Sequence, residues 1–212
     1  MVNLDMRGIL VAADQNQEWL LPWWWENYIK HNSYPVTFVD FGMSQKACNW
    51  CNTKGTLIKF PFSLAVETTE SLLAEGKRML IKDVHQSRQA WFKKPLAFTL
   101  TPFEQTLWLD SDCEVLGSLA PLFNYCGLSL AREGENSNEY NSGVVLYQKN
   151  CPIIQEWAEA SKISHPHHVG DQTVLTDLIH TKNLPIFILP RPYHLLSWRI
   201  RKEVINEPYR CI

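Results

Sequence analysis

The feature that most limits how this chain can fold is Thr106-Leu107-Trp108-Leu109 running directly into Asp110-Ser111-Asp112. A short run holding three large apolar residues reads as a buried strand, and ionised carboxylates are not buried without partners. The strand therefore has to surface at Asp110, and the carboxyl end of a strand is where open α/β sheets place their ligands. Two carboxylates one residue apart form a hard-oxygen pair suited to Mg²⁺ or Mn²⁺. The same triplet is also good turn chemistry, because Asp and Ser side chains bond their own backbone.

The remaining segments predict an α/β chain built around that strand. Gly8-Ile9-Leu10-Val11-Ala12-Ala13 is a first core strand closing at Asp14, followed by a turn and a helix over 18–30. Trp23, Trp24 and Trp25 fall inside that helix and point about 100° apart, so one of them is expected to be partly exposed. Strands are expected over 35–40 and 56–60, and the helix between the first two strands suggests a right-handed βαβ unit. Helices are expected over 67–74 and 83–92, then Lys93-Lys94-Pro95 and a short apolar helix. A short helix over 118–124, a strand over 127–131, a polar loop over 132–139 and an amphipathic helix over 152–162 complete the pattern. A further strand is expected after Tyr140-Asn141-Ser142-Gly143, and Gly170-Asp171-Gln172 opens the last helix.

Composition narrows the function classes. A length of 212 residues suits one full α/β domain, and 45% hydrophobic with 20% charged residues are globular values. A formal net charge of −2 excludes a general nucleic-acid binder, which needs a basic excess. Apolar stretches are interrupted by charges or prolines before they reach membrane-spanning length, so no transmembrane segment is expected. The first residues lack a basic stretch followed by an apolar one, so no secretion signal is read there. Six cysteines scattered without a regular spacing fit reduced thiols, and a cytoplasmic location is expected. Cys48-Asn49-Trp50-Cys51 has redox or half-zinc spacing but lacks the second pair that a zinc site requires. His165-Pro166-His167-His168 reads as a solvated loop rather than a metal cluster.

Leu107-Trp108-Leu109-Asp110-Ser111-Asp112 resembles the D-x-D strand of GT-A glycosyltransferases, which transfer a sugar from a nucleotide-sugar donor. Asn141-Ser142-Gly143 and Gly170-Asp171-Gln172 resemble the Asn-x-Gly and Asp-Gln motifs of the retaining, glycogenin-like and galactosyltransferase-like members. The resemblance implies one GT-A domain over 1–212, with a mostly parallel central sheet flanked by helices. It implies Asp110 and Asp112 as ligands of Mn²⁺ or Mg²⁺. The usual His-x-x-Gly motif is missing; either His194, the last histidine, is the third ligand, or the D-x-D ligands and water serve alone. Donor contacts implied are Ala12, Ala13, Asp14, Lys94, Ser111, Asn141, Ser142 and Gly143, with Asp171 and Gln172 beside the reacting carbon. Asp14 as a helix cap and Lys94 as a solvated lysine are the plain alternatives. Arg191, Arg199 and Arg201 are further candidates for a diphosphate.

The expected function is metal-dependent transfer, with retention, from a UDP-sugar or else a GDP-sugar to a hydroxyl of a glycan, lipid-linked or protein acceptor. Replacing either Asp110 or Asp112 by Asn is expected to leave the fold intact, because removing one of two like charges relieves repulsion. Two other readings stay open: a non-catalytic sugar-nucleotide or glycan-binding protein, and a haloacid-dehalogenase-type phosphatase using the first Asp as nucleophile.

Overall fold

The computed structural model describes residues 6–79, 83–134 and 137–193. Strand β1 (Arg7–Ala13) is the centre of assembly, and six of its seven residues are buried. It pairs in parallel with β2 (Val36–Asp40) and with β4 (Gln105–Leu109), while β3 (Thr56–Lys59) adds in parallel to the outer edge of β2. β6 (Tyr140–Gln148) then runs antiparallel to β4, β5 (Ser129–Arg132) antiparallel to β6, and β7 (Phe187–Ile188) parallel to β5. The order across the seven-stranded sheet is β3-β2-β1-β4-β6-β5-β7. Among the described strands only β6 is reversed, and that reversal brings its amino end to the edge where β1, β2, β4 and β5 have their carboxyl ends.

Both faces of the sheet are covered, which accounts for its near-continuous apolar strands. Ile9, Val11, Leu107 and Leu109 face α1 (Leu20–Tyr28), with Cys51 of α2 (Gln45–Asn52) in the same cluster. Leu10, Trp108, Val145 and Tyr147 face the other way, into a cluster with α4 (Val84–Phe98), α5 (Pro152–Ser164) and α6 (Asp171–Lys182). A further helix, α3 (Glu70–Arg78), packs on α4. The three consecutive tryptophans divide as expected. Trp24 is fully buried and stacks on Tyr28 at 5.1 Å, Trp25 meets Trp50 edge-on, and Trp23 stays exposed.

The expected helix boundary at Phe92 is wrong. α4 continues through Pro95 to Phe98, so Lys93 and Lys94 are helical. Proline removes one helical hydrogen bond, but Leu96, Ala97 and Phe98 of this last turn are buried, and their packing outweighs it. Ser44 caps α2 by accepting from the Ala47 N–H, and the Glu18 carboxylate accepts from the Ser44 N–H and hydroxyl at 2.6 Å each. The CxxC pair therefore lies on a capped helix. Its Cys48 thiol donates to Asp40, and burial raises the pKa of both thiols, opposite to what a reactive thiolate needs.

The histidine segment is a turn, exposed at His167 but tied down through its backbone. Arg88 of α4 is fully buried and donates to the carbonyls of Glu67, His165, His168 and Val169 and to the Thr68 hydroxyl. His165 also accepts from the Glu67 N–H, and His168 meets Asp177 at 2.9 Å. Burial lowers the Arg88 pKa, yet its donors satisfy carbonyls that would otherwise be orphaned. The residues it fixes lead directly into Gly170 and α6. Arg88→Met is expected to lower stability by about 1–3 kcal/mol and to open 165–169 to faster amide hydrogen exchange. Unchanged exchange there would remove Arg88 as the anchor.

Candidate functional site

Asp110 leaves β4 at the carboxyl edge, and its backbone N–H donates to the Gly143 carbonyl at 2.9 Å, continuing the β4–β6 ladder by one residue. One side-chain oxygen accepts from the Trp108 indole N–H at 2.7 Å, and the other from the Lys94 ammonium at 3.0 Å. Lys94 also donates to the Ser142 hydroxyl at 3.1 Å and lies 3.7 Å from the Asp171 carboxylate. Ser142 in turn donates to Asp171 at 2.9 Å. Lys94, Ser142 and Asp171 are all buried, so α4, β4, β6 and α6 meet in one polar cluster.

Its electrostatics follow from burial set against neighbouring charge. Burial pulls the Lys94 pKa down, but Asp110, Asp171, the hydrogen bond to Asp110 and Asp112 together outweigh it and hold the lysine above its ordinary range. Burial pushes Asp171 up, against the lowering effect of Lys94 and the Ser142 hydrogen bond. Asp112 is exposed on its outer side, yet the protein packed around the rest of it, with the Asp110 carboxylate alongside, raises its pKa. Burial and both carboxylates also push the Cys113 thiol well up.

β6 explains why Asn141, Ser142 and Gly143 are where they are. The motif was expected ahead of the strand and instead forms its first turn of pairing, because the β5–β6 register shifts between Leu130↔Val145 and Ala131↔Asn141. The shift leaves residues 142–144 without register partners on β5, and the N–H groups of Ser142 and Gly143 take side-chain acceptors. The Ser142 N–H donates to the Gln172 side-chain oxygen at 3.2 Å, and the Gly143 N–H to the Asn141 side-chain oxygen at 2.7 Å. A Cβ on Gly143 would sit 3.0 Å from Asn141 Oδ1 and 3.3 Å from Asp110 Oδ2, so glycine permits this close approach.

The other candidates fall at the same edge with different chemistry. Ala12 and Ala13 put their methyl groups into the two cores, and Ser111 is buried between the two carboxylates. Asp14 accepts from the Asn16 and Gln17 N–H groups, which makes it the cap of the turn after β1. Lys94 is not the solvated lysine of the plain reading, and Lys93 is not one either, donating to the Phe41 carbonyl at 2.9 Å. His194, Arg199 and Arg201 lie outside the described residues, and Arg191 opens a short 3-10 turn after β7. Among the described residues no cluster of three His, Cys, Asp or Glu side chains is placed to hold a metal ion.

Glu133 was missed. It sits at the carboxyl end of β5, where one of its carboxylate oxygens accepts from Asn141 Nδ2 at 2.8 Å and from Gln172 Nε2 at 3.0 Å. One acidic residue among several in a polar loop carries no sequence signal of that role.

By sequence, no family model and no curated protein matches the chain. Solved structures do match. The glycosyltransferase GlyE of Streptococcus pneumoniae TIGR4 is similar with a TM-score of 0.59 and 18% identity, over 89% of this chain and 46% of that one. The galactosyltransferase LgtC, in complex with donor and acceptor sugar analogues, is similar with a TM-score of 0.55 and 16% identity, over 97% of this chain and 82% of that one. The bifunctional glycosyltransferase WbbM gives 0.56 and 11%, over 87% and 39%. This chain spans less than half the length of GlyE. The sheet order, the reversed β6 and these three likenesses agree, and the chain has the GT-A glycosyltransferase fold.

Proposed function

We propose that this chain is a glycosyltransferase moving a sugar from a nucleotide-diphosphate donor to an acceptor hydroxyl with retention of configuration. A UDP-sugar is the first choice of donor and a GDP-sugar the second. The acceptor is a glycan, a lipid-linked sugar or a protein. One observation carries the reading: Asp110, Asp171 and Ser142 are gathered around the buried Lys94 at the sheet's carboxyl edge, with Asp112 open beside them. The likeness to LgtC, which binds donor and acceptor sugar analogues, supports the same assignment.

The donor set fits a divalent cation. Asp112 is exposed next to Asp110, and their mutual repulsion, which helps raise the Asp112 pKa, is what a bound cation relieves. Asp110 and Asp112 would hold Mn²⁺ or Mg²⁺, with phosphate and water oxygens as the remaining ligands, and the ion supplies neutralisation of charge on the departing diphosphate. Lys94 has its ammonium committed to Asp110, Ser142 and Asp171, so its part is to hold those groups in register. Asp171 is turned into the protein and hydrogen-bonded by Ser142, a poor position for a base that must touch the acceptor hydroxyl. Retention, which the resemblance to the retaining members implies, has the leaving phosphate on the donor's own face take that proton. Gln172 and Asn141, polar and half-buried at the same edge, stand beside the sugar.

The phosphatase reading rests on the Asp-x-Asp spacing alone, whereas the likeness of the whole fold to glycosyltransferases favours the transferase. A thermal-shift screen of nucleotide sugars with and without Mn²⁺ tests the transferase. The true donor at a hundredfold excess over its dissociation constant is expected to stabilise the fold by about 2.7 kcal/mol. NMR of the first product, read before mutarotation, is expected to show the donor's anomer. Failure of every nucleotide sugar to bind refutes the function, and an inverted anomer refutes retention.

A further inference from the structure

We propose that Glu133 is a positioning residue of the transfer reaction, one carboxylate oxygen setting the orientation of the side-chain amides of both Asn141 and Gln172. The proposal rests on the transferase reading for its catalytic part and on geometry for the rest. An amide side chain presents an acceptor at one end and donors at the other, and either can point either way until neighbours decide. Here the backbone decides first. The unpaired Ser142 N–H can only donate, so the Gln172 group it meets at 3.2 Å is the oxygen. The Gly143 N–H likewise fixes the Asn141 oxygen at 2.7 Å. Both NH₂ groups are thereby turned to the same place, and Glu133 Oε2 accepts from the two of them at 2.8 and 3.0 Å. A carboxylate is suited to this because it only accepts and has lone pairs enough for two donors.

Glu133 is itself anchored from both sides. Its N–H donates to the Glu139 carbonyl at 2.9 Å, closing the neck of the 133–139 loop. The adjacent Arg132 guanidinium donates to the Ser137 carbonyl at 2.7 Å and lies over the Tyr140 ring. The carboxylate is thus delivered by the base of the loop, next to the start of β6 where the Ser142 and Gly143 N–H groups take side-chain acceptors. Without it, each amide keeps its single backbone bond and gains freedom to turn its NH₂ group elsewhere.

Glu133→Ala and Glu133→Gln separate position from charge, since glutamine keeps an acceptor oxygen within the same reach. The full chain labelled with ¹⁵N reports the Asn141 and Gln172 NH₂ resonances, assigned through Asn141→Asp and Gln172→Glu. In Glu133→Ala both pairs are expected to move to the position of solvent-exposed amides, and in Glu133→Gln to return most of the way. Turnover of the donor found in the nucleotide-sugar screen is expected to fall about 10- to 100-fold in Glu133→Ala, the range for removing an orienting partner. Donor KM is expected to change little. Because Glu133 acts through both amides, Glu133→Ala in an Asn141→Ala/Gln172→Ala background is expected to slow the enzyme no further. Amide resonances unmoved in Glu133→Ala, or a further rate loss on adding Glu133→Ala to that background, overturn the proposal. A wild-type protein inert toward every nucleotide sugar refutes the transferase reading alone, and the amide resonances then still decide the positioning.

Discussion

Lys94→Met is expected to be the most destabilising single change in this cluster, costing about 3–5 kcal/mol, because it strands acidic groups that the ammonium holds. Methionine fills the space, so the loss is electrostatic rather than a cavity. Asp171 would be left buried without its counter-ion, and Asp110 would lose its partner ammonium while keeping the Trp108 indole. The pH dependence follows from two signs. The folded-state pKa of Lys94 is raised, so its contribution is complete below the unfolded lysine value and is lost only as pH rises through the folded one. The folded-state pKa of Asp171 is also raised, so its ionisation costs stability as pH climbs through that value, and the wild type offsets this cost with Lys94. Removing the lysine pushes Asp171 further up. The deficit of Lys94→Met against wild type is therefore expected to shrink on acidification from roughly pH 8 to roughly pH 5, as Asp171 takes up a proton. Urea midpoints at the two pH values measure it, and a deficit that grows toward acid would show that Lys94 is not the counter-ion of Asp171.

The same cluster marks how far the sequence could be read. Leu107-Trp108-Leu109 ending at Asp110 was legible because burial forces an apolar strand to stop where charge begins. The helix start at Asp171 was legible from Gly170-Asp171-Gln172, and the exposure of one tryptophan from helical geometry alone. Lys94 was a site candidate through the resemblance, but its burial was not legible, since Lys-Lys-Pro reads as a polar break. Only the packing of Leu96, Ala97 and Phe98 beyond Pro95 shows that the helix continues and carries Lys94 inward. Arg88 was hidden for a related reason: an arginine on a polar helix reads as solvated until the carbonyls of a segment some 80 residues away close over it. The register shift between β5 and β6 depends on pairing between strands, which no local pattern encodes, so neither the roles of Asn141 and Gln172 as backbone partners nor Glu133 behind them could be read.

Asp110 and Asp112, alike in the sequence, are expected to respond differently to loss of charge. Asp110→Asn keeps the shape but takes from Lys94 its nearest counter-charge, so the expectation that both variants keep the wild-type fold is corrected for this one: stability and activity should fall together. Asp112→Asn is the cleaner test of the carboxylate pair. The Asp112 pKa is raised in the folded state, so its ionisation works against folding as pH rises through that value, and an uncharged amide there should leave stability at neutral pH equal or slightly higher. Its donor-directed chemistry should nevertheless collapse. If Asp112 supplies the solvent-side oxygen for the divalent ion, Asp112→Asn is expected to lower transfer at least about 100-fold, the scale of losing one group that stabilises developing charge. The added stabilisation that Mn²⁺ gives to the nucleotide-sugar complex should vanish with it. A titration of Mn²⁺ against melting temperature, with donor present, reads this directly in wild type and variant. An Asp112→Asn protein whose melting temperature still responds to Mn²⁺ as the wild type does would take the cation away from this carboxylate, and a variant that unfolds would show that Asp112 belongs to the Lys94 cluster after all.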